Sequence, residues 1–73
     1  MEENNMRFKV GDLIQSVRHT PAGRFKLAII MGTSKSEHIN NFFYYHLFVV
    51  DWDEHQRYSA YVADNSFDLI SAP

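Results

Sequence analysis

Seventy-three residues make a single domain, and a chain this short buries only about 60% of its unfolded surface, so its core is thin. There is no cysteine, which excludes disulfides and thiolate zinc sites; packing has to supply the stability, and an aromatic content of 15% suits that because rings bury large areas per residue. Formal net charge is −2, yet residues 7–35 hold six bases and one acid (+5) and residues 36–73 hold six acids and one base (−5). Pairing between oppositely charged strands accounts for this asymmetry, and a basic patch is the alternative.

In chain order, residues 1–6 read as a polar, acidic and disordered tail. They carry no basic or apolar signal-peptide region, and no apolar run in the chain approaches the roughly 20 residues that span a bilayer. Gly11-Asp12 is turn chemistry ahead of a first strand at 13–18. Pro21 and Gly23 punctuate a loop before a strongly apolar second strand at 25–31. Residues 33–41 are a polar hairpin connection.

The longest apolar run follows at 42–52, where only His46 and Asp51 are neither apolar nor aromatic, and it reads as a third strand. Alternation divides it into Phe42, Tyr44, His46, Phe48, Val50 and Trp52 on one side and Phe43, Tyr45, Leu47 and Val49 on the other. A turn at 51–56 leads to a fourth strand at 57–62. One turn of 3₁₀ helix at 63–66 precedes a short last strand at 67–70. The expected core is Leu13, Val17, Ile29, Met31, Leu47, Val49, Val62 and Leu69. Five short strands in about sixty residues predict an all-β, five-stranded antiparallel barrel or strongly bent sheet.

Val10-Gly-Asp-Leu-Ile14, Lys26-Leu-Ala-Ile-Ile-Met-Gly32, Phe48-Val-Val-Asp-Trp52 and Asn65-Ser-Phe-Asp-Leu-Ile-Ser71 follow one another in the order of a known plan. Over residues 8–71 the chain resembles the SH3-like small barrels, a plan shared by Tudor and KOW domains, and it is most similar to small barrels encoded by phages. The resemblance implies one SH3-like barrel domain at 7–71, with 72–73 as its C-terminal end. It also implies a binding role toward peptides, nucleic acids or other subunits, in the cytoplasm (of the host, for a phage product).

Catalysis has little support: there is no cysteine nucleophile, no Gly-x-Ser-x-Gly elbow and no phosphate-cradling glycine loop. His19, His38, His46 and His55 match no ligand spacing, and Asp51, Asp53 and Glu54 read as a solvated acidic turn, so no metal or cofactor is expected. The aromatic surplus is the functional signal, because a small core cannot take both sides of the third strand. Phe42, Phe43, Tyr44, Tyr45 and Trp52 are the expected partner-binding residues of a non-catalytic module that docks a protein, such as a host or virion protein, or a second copy of itself. The alternative is a nucleic-acid-binding barrel in which bases stack on Tyr44, Tyr45 or Trp52 and phosphates meet Arg18, Arg24 and Lys26. The net negative charge counts against it.

Overall fold

The computed structural model describes residues 6–18, 20 and 23–73. Residues 1–5 of the expected tail at 1–6, together with His19, Pro21 and Ala22, lie outside them. Five strands form: β1 (Leu13–Ser16), β2 (Ala28–Lys35), β3 (Phe43–Val49), β4 (Glu54–Ser59) and β5 (Phe67–Ser71). A 3₁₀ turn, Val50–Trp52, joins β3 to β4, and a helix α1 (Ala60–Ser66) joins β4 to β5. All neighbours pair antiparallel in one sheet of order β4-β3-β2-β1-β5.

The sheet is bent so that its two edge strands share one core. Tyr58 of β4 and Phe67 of β5 meet edge to face at 5.2 Å, and Phe67 meets Phe25 at 5.1 Å. Such ring pairs add about 0.5–1.5 kcal/mol each beyond the area they bury, which matters in a thin core. Ile14, Ala28, Ile30, Tyr45, Leu47, Val49 and Ala63 complete the buried set, and Phe8 and Phe25 close it from outside the strands. Met6, expected in the tail, is half-buried and packs against this core.

Leu47 and Val49 are buried as expected, but the phase differs on three other strands. Val17, Met31 and Leu69 are exposed, whereas Leu13, Ile29 and Val62 are half-buried. In β2 the inward positions are Ala28 and Ile30, so Ile29 and Met31 alternate outward, and a register shift between Ile30 and Gly32 marks Met31 as the extra residue of a bulge. In β1 the inward positions are Ile14 and Ser16. Ser16 is admitted to the core because its hydroxyl accepts from the Phe25 N–H at 2.7 Å and lies 3.1 Å from the Phe25 carbonyl, to which it donates. Leu69 has the inward phase of Phe67 but lies at the rim of the edge strand, beside a second register shift.

The helical segment before the last strand is α1. It begins three residues before the expected turn and takes over the end of the expected fourth strand. Ser59 caps it, accepting from the Val62 N–H at 3.2 Å. Its end is tied to the N-terminal segment. Arg7 donates to the carbonyls of Asp64 at 2.8 Å and Phe67 at 2.9 Å and pairs with the Asp68 carboxylate at 3.4 Å. Ser66 turns its carbonyl toward β1, where it accepts from Val17. Alternation then turns the Phe67 carbonyl to the free edge, and there it meets Arg7.

Candidate functional site

The outward side of β3 is the site's foundation. Register places Phe48 between Ile29 of β2 and His55 of β4, His46 between Gly32 and Arg57, and Tyr44 between Ser34 and Ser59. Antiparallel sheets that face water on one side normally alternate apolar-in with polar-out. Here the outward positions carry Tyr44, His46 and Phe48, with Phe42 just ahead of them, and each is half-buried rather than covered. The Phe42 and Tyr44 rings meet at 5.4 Å, and the Phe48 ring meets the His55 imidazole at 5.1 Å. At Gly32 an added Cβ would have nothing within 4 Å, so a shallow notch opens beside His46.

The hairpin between β2 and β3 borders this face. Ser36 donates its N–H to the Phe42 carbonyl at 2.8 Å, and its hydroxyl accepts from the N–H groups of His38 and Ile39, each at 3.1 Å. Asn41 closes the loop in the left-handed region at φ 58°, which asparagine tolerates better than most residues. Between hairpin and sheet lies a cleft of about 420 Å³ whose charged and aromatic walls are Lys35, Glu37, His38, Tyr44 and Arg57. The Arg57 guanidinium lies over the Tyr44 ring, 4.4 Å from its centroid. Among the described residues the sole ion pair is Arg7 with Asp68, so neither Arg57 nor Lys35 is neutralised by an acid. The Ser34 hydroxyl and His46 Nε2 are hydrogen-bonded at 2.8 Å.

The expected binding residues divide. Phe42 and Tyr44 belong to this face, whereas Phe43 is half-buried on the inward side of the strand near the hairpin. Tyr45 belongs to the core and is removed from the site: it is fully buried, its hydroxyl accepts from the Phe8 N–H at 3.0 Å and donates to Asp64 Oδ1 at 3.1 Å. Burial, reinforced by the Asp64 carboxylate, pushes its hydroxyl up to about 12. Trp52 leaves the sheet in the 3₁₀ turn and packs edge-on against Phe25 at 5.8 Å, at the far end of β3 from the hairpin.

Arg24 and Lys26 line a separate cleft of about 450 Å³ with Gln15, Phe25 and Asp51, while Arg18 is exposed outside its lining. Asp51 accepts from the backbone N–H groups of Lys26 and Leu27, each at 2.9 Å. The Lys26 N–H first of all holds that carboxyl below its ordinary range, and the group works as a loop tie rather than a cation ligand. No group of three or more His, Cys, Asp or Glu among the described residues is placed to hold a metal ion.

Three members of the face, His46, Phe48 and Arg57, and Lys35 of the cleft beside it were not among the expected binding residues. Alternation already put His46 and Phe48 on the side of Tyr44. Arg57 stands out only as the single base of the acidic second half, and its partner depends on the β3–β4 register.

Comparison with known proteins gives no matching family model, no matching curated protein and no matching solved structure. No helix among the described residues is long and apolar enough to cross a membrane.

Proposed function

We propose that this chain is a non-catalytic binding module, on an SH3-like plan, that docks a protein partner through the outward face of β3 and the hairpin before it. The observation that carries this reading is the row Phe42, Tyr44, His46 and Phe48, half-exposed on the solvent side of a central strand. Aromatic residues and arginine concentrate where surfaces meet partners, and Arg57 held against Tyr44 adds a fixed polar contact to the apolar row. The resemblance to phage-encoded barrels extends the proposal to a host or virion protein as the partner, met in the host cytoplasm.

The test is the pair Tyr44→Ser and Phe48→Ser in one chain. Both positions are half-exposed, so the expected result is a folded protein that loses association with a partner recovered from the native source. Analytical ultracentrifugation reports at the same time whether the partner is a second copy. The reading fails if wild type is monomeric and the double variant holds the recovered partner with unchanged affinity.

One observation favours a second reading. A tyrosine face flanked by Arg57 and Lys35 is also a platform on which a base could stack beside a phosphate contact. This platform differs from the Arg18, Arg24 and Lys26 set. Micromolar binding of single-stranded oligonucleotides with a steep salt dependence would put this reading first.

A further inference from the structure

We propose that the hairpin end of the β3 face is a carboxylate subsite, taking an Asp or Glu side chain from an acidic protein segment whose following apolar residues lie toward Phe48. The inference rests on the docking reading above and names the chemistry of the partner. Arg57 carries it. Its guanidinium lies over the Tyr44 ring, 4.4 Å from the centroid, and meets no acid, so its planar fork of donors remains for an outside oxyanion. Lys35 stands in the same cleft without an ion pair, and Glu37 opposes it there, which favours a ligand of low charge.

The rest of the face decides between a peptide and a polyanion. β4 runs from Glu54, opposite Val49, to Ser59, opposite Tyr44, and alternation puts His55, Arg57 and Ser59 on the outward side. Beyond Arg57 the outward row continues with Phe48 and Ile29 and holds no further Lys or Arg. A nucleic-acid strand leaving Arg57 along the face would carry its next phosphates over apolar side chains, and two cations give too little phosphate neutralisation to hold it. A peptide with one acid at the hairpin end and apolar residues beyond it meets Arg57, then Phe48 and Ile29.

The experiment is selection from a random peptide library displayed on yeast, with wild type, Arg57→Glu, Lys35→Glu and Phe48→Ser as baits, followed by fluorescence polarisation with a synthetic copy of the best peptide. Arg57 and Lys35 are exposed, so their variants fold, and circular dichroism verifies this. The expected peptides carry Asp or Glu ahead of apolar residues. Arg57→Glu weakens them roughly tenfold or more, and changing the peptide acid to Lys restores binding to that variant. Peptides without an acid, unaffected by Arg57→Glu but lost with Phe48→Ser, would overturn the carboxylate subsite and leave the docking face standing. No enriched peptide on wild type would remove both. An oligothymidine probe that outcompetes the selected peptide would replace the protein segment by nucleic acid.

Discussion

Tyr44 and Tyr45 are neighbours on one strand, with the same ring and the same hydroxyl, and they have opposite fates. Tyr45 points inward, where Phe8 packs on its ring at 5.7 Å and both its hydrogen bonds are made by buried or half-buried groups. Tyr44 points outward, where the contacts are Phe42, the Arg57 guanidinium and an open cleft. The same contrast runs along the strand, Leu47 and Val49 against His46 and Phe48. Apolarity alone does not separate the two sides. They differ in what the rest of a short chain can bring behind them: Phe8, Phe25 and α1 cover one side, and nothing among the described residues covers the other. A small fold that makes both sides of an inner strand aromatic has one side left uncovered.

Substitutions that separate the two sides test this contrast. Leu47→Ala removes a fully buried inward side chain and should cost about 2–5 kcal/mol, enough to unfold a marginal domain; urea denaturation measures it. A variant melting within a degree or two of wild type would mean that Leu47 faces water and the inward side is misassigned.

Tyr45→Phe keeps the ring and removes the hydroxyl, leaving the Phe8 N–H and the Asp64 carboxylate each without that partner, at a cost of about 1–3 kcal/mol. The same residue sets an alkaline limit. Its folded hydroxyl titrates at about 12 against 10.0 unfolded, so the folded state favours the protonated form. That stability is complete below pH 10 and is lost as pH rises from there through about 12. Thermal melts across this window should fall more steeply for wild type than for Tyr45→Phe, and parallel curves would contradict the assignment.

Phe48→Ser on the outward side should change stability by about 1 kcal/mol or less, because no cavity forms in the core, while abolishing partner binding. Gly32→Ala should have the smallest effect. Its Cβ meets nothing and the residue has no left-handed φ, so restricting the unfolded chain should stabilise the fold by about 0.4–1 kcal/mol. If Gly32→Ala also weakens partner binding, the notch beside His46 is part of the interface. If it is neutral there, the contact lies nearer Tyr44.

β3 was the most legible element because its alternation is unbroken from Phe43 to Val49, and its inward set follows from period two alone. Where residues are apolar on consecutive positions, as at Leu27, Ala28, Ile29, Ile30 and Met31, a period of two carries no phase, and the bulge at Met31 leaves no local mark. The phase of β1 went to Leu13 and Val17 for a related reason: a serine counts as outward until its partner is known, and Ser16 finds that partner in Phe25, nine residues away. Ser59 had cap chemistry, but Tyr58, Ala60 and Val62 imitated a strand through the start of α1. In the site, the aromatic surplus was visible from composition. Which ring is free was not, because Tyr45 is claimed by Phe8, thirty-seven residues away, and Tyr44 by Arg57 through the strand register.

Arg7 has a consequence for the collective behaviour of the molecule. β5 is an edge strand with Leu69 and Ile70 both exposed, the kind of border on which copies of a protein can stack strand upon strand into insoluble fibres. The guanidinium over the Phe67 carbonyl occupies the first acceptor an incoming strand would need, and its charge is held there by Asp68. Stacking along that border must first expel a solvated cation from three oxygen partners, so a single arginine guards the start of that edge against an incoming strand.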